Sequence, residues 1–123
     1  MQAPQVVVIE PDGRLLAQVR PLAEAQRWLL REAKTPDAAL KLLARPGPAV
    51  VLIRVGRDLE RELGLLERVA WLYPDAAAVV VGDSDHAVLA GLAWDLGATA
   101  VLIPAPEREV LQEAVRALVA GAG

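Results

Sequence analysis

The residues able to do acid–base or metal chemistry are few and scattered. Glu10 and Asp12 flank Pro11 directly after the aliphatic run VVVI; Asp58 and Asp83 follow two other aliphatic runs, and His86 is the only histidine. There is no cysteine, which excludes a disulfide framework, a cysteine zinc site and a thiol nucleophile. One histidine without cysteine or a second histidine does not make a zinc site, and His86 reads as a solvated first-turn residue. Ser84-Asp85-His86 is not a catalytic triad, because neighbouring residues in a helical turn point apart. Asp58 and Asp83 each read as the N-cap of the helix that follows. Asp12-Gly13 is no phosphate cradle, since the Gly-x-Gly-x-x-Gly and Walker patterns are both absent. That weighs against a nucleotide or flavin site.

The background composition narrows the classes further. A chain of 123 residues fits one domain, large enough to bury a core without staples. Its formal net charge of −3 shows no basic excess, so direct nucleic-acid binding is not expected. The hydrophobic fraction is 54%, yet no run approaches the ~18 apolar residues of a membrane span. MQAPQVVVIE lacks the basic start of a signal peptide. These features describe a cytoplasmic, Ala/Leu/Val-rich globular domain over 1–119, with 120–123 as a tail or the start of a linker. Eleven arginines against two lysines fit a GC-rich genome.

Four segments read as strands: Val6–Glu10, Ala49–Arg54, Ala77–Gly82 and Ala98–Ile103. Three are nearly continuous aliphatic runs, the pattern of parallel strands covered by helices on both faces. The gaps are long enough for crossover helices. Thr35–Ala44 opens with an N-cap and Pro36 at the first helical position. Asp58–Tyr73 places Leu59, Leu63, Leu66, Ala70 and Tyr73 on one face. Ser84–Leu96 ends at Gly97, a C′ residue. Glu107–Val119 carries Val110, Leu111, Ala114, Val115 and Leu118 on one stripe. The alternation predicts an α/β fold with right-handed crossovers. Residues 11–34 admit two readings. One is a helix at about 13–26 and a strand at 28–33, against which Pro21 counts by roughly 3 kcal/mol. The other is a Pro-Asp-Gly turn, a strand at 14–20 and a helix from Pro21.

From Val6 to Val119 the chain resembles the receiver domain of bacterial two-component response regulators. The clearest stretch is LLERVAWLYPDAAAVVVGD at 65–83, a helix running into Tyr-Pro-Asp and a buried strand. Gly97-Ala98 before an aliphatic strand, VRAL at 115–118 and Pro48 before VVLIR complete an ordered set. The resemblance implies a flavodoxin-like doubly wound sheet of five parallel strands, order 2-1-3-4-5, with helices on both faces. It favours helix-then-strand for 13–34.

A working receiver holds Mg²⁺ with acidic residues after its first strand and an Asp ending its third, which is phosphorylated. A Thr or Ser after the fourth strand and a Lys after the fifth bind the phosphoryl oxygens, and an aromatic residue on the fifth strand reports the change. Carried over position by position, this chain retains Glu10 and Asp12 but puts Arg54 at the phosphoacceptor, Gly82 at the Thr/Ser, Pro104 at the Lys and Val101 at the aromatic position. Arg57-Asp58-Leu59 stands for Met-Pro-Gly and Glu62 for a later Gly, so that loop is rebuilt. Guanidinium is no nucleophile, and phosphoryl transfer needs a nucleophile, a metal and cations for the equatorial oxygens. A pseudo-receiver is therefore expected, with no Mg²⁺, no cofactor and no enzymatic activity. Arg54 is expected to pair with Glu10 and Asp12 across neighbouring strands, standing where the metal stood.

The implied role is a phosphorylation-independent contact with a protein partner or a second copy, in two-component signalling or gene regulation. Receivers commonly pair through helix 4, strand 5 and helix 5, here roughly 84–118. Trp71, Trp94, Glu107 and Arg108 are the candidate contact residues. Trp71 falls opposite its helix's core stripe, Trp94 on a position where core is expected, and Trp28 on the second strand. Two alternatives are a regulator phosphorylated on a displaced acid such as Asp58 or Asp83, and a small-ligand sensor or enzyme subunit on the same fold.

Overall fold

A computed structural model describes residues 3–83 and 87–121. The chain alternates strand and helix throughout: β1 (Gln5–Ile9), α1 (Arg14–Gln26), β2 (Leu29–Ala33), α2 (Pro36–Leu43), β3 (Ala49–Val55), α3 (Leu59–Leu72), β4 (Ala77–Gly82), α4 (Ala87–Asp95), β5 (Ala100–Leu102) and α5 (Arg108–Gly121). All strands are parallel, in the order β2-β1-β3-β4-β5. The flavodoxin-like expectation is met. The helix-then-strand reading of 13–34 also holds, with no strand at 14–20. Pro21 sits inside α1. Both it and Ala17, whose carbonyl it cannot bond, are exposed, so water can satisfy the freed oxygen and the interior proline is tolerated.

The two faces of the sheet follow the strand period of two. Val6, Val8, Val50, Leu52, Val79 and Val81 face a layer closed by Leu15 and Val19 of α1 and Leu111, Val115 and Val119 of α5. Val7, Val51, Ile53, Val55 and Val80 face α2, α3 and α4. Central strands buried on both faces explain the unbroken aliphatic runs.

Helix ends carry the expected caps. The Thr35 hydroxyl accepts from Ala38 N–H at 3.1 Å and Pro36 follows it. The Asp58 carboxylate accepts from Arg61 N–H at 3.3 Å. After α4, the Gly97 amide donates to Trp94 and the Ala98 amide to Ala93, with Gly97 at φ +105°. This pair of bonds is a Schellman closure, and the C″-to-C3 bond brings the chain back toward β5.

Three side chains differ from the stripes read in the sequence. Leu59 and Val110 lie outside the core, and Trp94 is exposed where burial was expected. Leu65 and Val69 join Leu63 and Leu66 as the buried residues of α3. Trp28 precedes β2 and packs half-buried against the α1–α5 layer. α5 continues to Gly121, two residues past its expected end. No helix among the described residues is long and apolar enough to cross a membrane.

Candidate functional site

The strand alternation that builds the α1–α5 core also builds the site. Continuing β1 past Val6 and Val8 brings Glu10 to that face. Continuing β3 past Val50 and Leu52 brings Arg54, and continuing β4 past Val79 and Val81 brings Asp83. The register sets Ile9 beside Ile53 and Arg54 beside Val81. One acidic, one basic and one acidic residue therefore converge at the carboxyl edge of three adjacent strands.

Arg54 pairs with Asp83, its Nη2 donating to Oδ1. The expected pairing with Glu10 and Asp12 is not what forms. The reason lies in α1. Both Glu10 oxygens accept backbone amides at the start of that helix, from Leu15 and Leu16, each at 2.9 Å. Asp12 accepts the Arg14 amide at 3.1 Å and lies 3.4 Å from the Arg14 guanidinium. The first turn of a helix presents unpaired N–H groups and a positive dipole end. It takes both carboxylates, and Arg54 turns to the acid on its other side. Glu10 is 5% exposed, so it is a buried cap, not a solvent-facing ligand. Asp83, read in the sequence as a helix N-cap, is the partner of Arg54; the amides it would cap lie outside the described residues. The Ser84 helix start, His86 and the Ser84-Asp85-His86 sequence lie outside the described residues.

The electrostatics follow these contacts. The Arg54 hydrogen bond holds the Asp83 carboxyl below its ordinary range, and the Asp83 bond raises the guanidinium further. Asp12 is lowered chiefly by the Arg14 amide. The Arg54 side chain is 11% exposed and that of Asp83 69%, so water screens the pair and its effect is small. The sign is nevertheless fixed. A carboxyl depressed in the folded state adds stability above its unfolded value near ~3.9 and loses it as pH falls through the folded value. Asp83→Asn should therefore flatten the acid limb of stability below about pH 4, read by urea unfolding across pH, while leaving its slope near neutrality unchanged.

The remaining positions are apolar or closed. A Cβ added to Gly82 would meet Ile103 and Val55 side chains at 3.2 Å. A Thr or Ser side chain here would crowd both of them. Ile103, not Pro104, packs over Gly82; Pro104 follows it and is exposed. Val101 is half-buried against the α2–α4 layer. The Glu62 carboxylate accepts the Gly56 amide at 2.9 Å and closes the loop between β3 and α3, a role the sequence left unread. The substituted Arg57-Asp58-Leu59 stretch does lead directly into α3. Trp71 is 83% exposed and Trp94 52%. Glu107 and Arg108, at the start of α5, are also exposed.

Sheet order, layers and the edge cluster together define a flavodoxin-like doubly wound domain with its polar site at the strands' carboxyl ends. No family model and no curated protein matches the chain. Solved structures do. A CheY-like response regulator receiver domain protein from Methanospirillum hungatei JF-1 matches with TM-score 0.82 at 15% identity, covering 98% of this chain and 97% of that one. A response regulator from Thermotoga maritima matches with TM-score 0.82 at 21% identity, covering 97% and 99%. NtrX from Brucella abortus matches with TM-score 0.77 at 17% identity, covering 98% of this chain and 28% of that chain. The fold is thus the CheY-like receiver fold.

Proposed function

We propose that the chain is a degenerate receiver: a signalling module that works through protein contact without aspartyl phosphorylation. The observation carrying this reading is the Arg54–Asp83 pair at the edge of β3 and β4, beside a Glu10 already committed to α1. Arg54 cannot be an acceptor. Gly82 offers no hydroxyl, and Ile103 and Val55 crowd the position. The donor set does not fit Mg²⁺, which wants free carboxylate oxygens in near-octahedral array. Glu10 and Asp12 are spent on backbone amides, and a guanidinium stands among them. Asp58 caps α3 and Asp83 holds Arg54, which disfavours phosphorylation on a displaced acid. Such a module is not an enzyme and works in the cytoplasm.

The contact surface proposed is the α4–β5–α5 side. Val88, Leu92 and Trp94 of α4 and Val110 of α5 are exposed apolar residues, and the exposed Glu107 and Arg108 lie at the start of α5. Exposed tryptophan in an apolar setting is a frequent binding hot spot, and a symmetric pair of copies is the common outcome for such a patch. Trp71 of α3 is a second candidate contact. Sedimentation over a range of concentrations tests this. A self-association unchanged by acetyl phosphate with Mg²⁺, and lost in Trp94→Lys, is expected. A monomer at all concentrations would remove the dimer, and association that appears only with acetyl phosphate would remove phosphorylation independence.

A further inference from the structure

α3 and α4 run side by side on one face of the sheet. At their starts Leu59 of α3 and Leu89 of α4 line one cleft. At their ends a Cβ on Gly97 would lie 2.6 Å from the Ala70 Cβ. Along this length each helix turns a stripe of exposed residues outward at helical spacing. On α3 the stripe is Glu60, Gly64, Glu67 and Trp71; on α4 it is Val88, Gly91, Leu92 and Asp95. Trp71 and Val88 are the most exposed large apolar side chains among the described residues.

The charges of this two-helix face have one sign. Glu60, Glu67 and Asp95 take part in no ion pair or side-chain hydrogen bond among the described residues. α4 carries no lysine or arginine. The arginines of α3 lie on its α2 side, where Arg68 is 3.4 Å from Asp37 and Arg61 borders Lys34 and Pro36 across a cleft. The glycines add a separate feature. Glycine inside an exposed helix weakens it relative to alanine. A Cβ on Gly64 or Gly91 would meet nothing within 4 Å, so no neighbour within the chain requires their small size. At a helix surface such residues let another helix approach at the short end of packing distances.

From this we propose that the α3–α4 face docks a basic amphipathic helix of a partner protein. Trp71, Val88 and Leu92 take its apolar stripe, the three carboxylates take the flanking lysines or arginines, and the two glycines admit its backbone. Among the described residues only α3, α4 and α5 expose large apolar side chains. The first two form the acidic face itself, and α5 places Arg108 and Arg116 against its own glutamates. A second copy of the chain therefore does not supply the occupant. The proposal rests on the reading of the chain as a contact module, and it gives Trp71 its partner.

The test titrates the whole chain with a Leu/Lys peptide of about 18 residues patterned as an amphipathic helix, and with its Leu/Glu counterpart, followed by NMR. Saturable binding of the Leu/Lys peptide alone is expected, with shifts at the Trp71 indole and the Gly64 and Gly91 amides. Glu60→Lys/Glu67→Lys should weaken it at least about tenfold. Glu109→Lys/Glu113→Lys, an equal change of net charge on α5, should leave it within about twofold. Gly64→Gln/Gly91→Gln should raise Tm and yet weaken the peptide contact; a purely structural role for the glycines would move Tm alone. Equal affinity for the two peptides, equal losses in the two charge-reversed variants, or shifts confined to β5 and α5 would overturn the face. No peptide binding beside a persisting self-association through Trp94 would overturn this proposal and leave the contact-module reading in place.

Discussion

Replacing Glu10 with Ala should lower the unfolding free energy by about 2–4 kcal/mol, one of the two largest single-residue effects expected in this chain. The magnitude comes from two amides. Leu15 N–H is buried and Leu16 N–H partly so, and each donates to one Glu10 oxygen at 2.9 Å. Alanine leaves both donors without that partner. The negative charge next to the helix start is lost as well. Glu10→Gln keeps one acceptor oxygen, so roughly half the loss is expected. Urea unfolding of the two variants measures the difference. The sign is diagnostic. A carboxylate held in an acidic pocket for a metal repels its neighbours when the metal is absent, and its removal then stabilises the fold. A carboxylate that caps a helix can only destabilise it on removal.

Gly97→Ala should be comparably damaging, for backbone and packing reasons together. The residue has φ +105°, a conformation that side chains rarely adopt, and a Cβ there would lie 2.6 Å from the Ala70 Cβ on α3. The atom it meets is itself a rigid methyl, so neither side can yield without moving a helix. Left-handed strain and overpacking together should cost about 2–4 kcal/mol, and a fall in Tm on the order of 10 °C is expected in thermal unfolding. Combining Gly97→Ala with Ala70→Gly removes the overlap but keeps the strained φ. The double variant should regain part of the loss relative to Gly97→Ala alone, though a glycine in the interior of α3 brings its own cost of about 1 kcal/mol.

Much of the fold was legible because its signals are local. Buried parallel strands wrote unbroken aliphatic runs at 49–54 and 77–82, and Thr35, Asp58 and Gly97 announced helix ends through chemistry that depends only on neighbouring residues. Pro21 misdirected, because its cost depends on whether the freed Ala17 carbonyl meets water, which is set by the rest of the fold. The outward residues of α4 could not be told from its inward ones. AVLAGLAWD is apolar on every side, so its spacing gave no reason to expect Trp94 outside.

The site was legible as a set of residues and not as a set of bonds. Alternation along β1, β3 and β4 brings Glu10, Arg54 and Asp83 to one face, and β3 lies between β1 and β4, so strand adjacency offers Arg54 an acid on either side while Asp83 reads in the sequence as a helix cap. What decided between them was the demand of α1 for acceptors at its first turn. That competition is visible only when the helix start and the strand end are placed together. Ile103 over Gly82 was missed for a similar reason, since the position one residue later carried the expectation.

If the chain is a degenerate receiver, no aspartate in it is phosphorylated. Intact mass after incubation with acetyl phosphate and Mg²⁺ reads this out, and an unchanged mass is expected for the wild-type chain. A gain of one phosphoryl group, mapped to Asp12, Asp58 or Asp83, would overturn that reading.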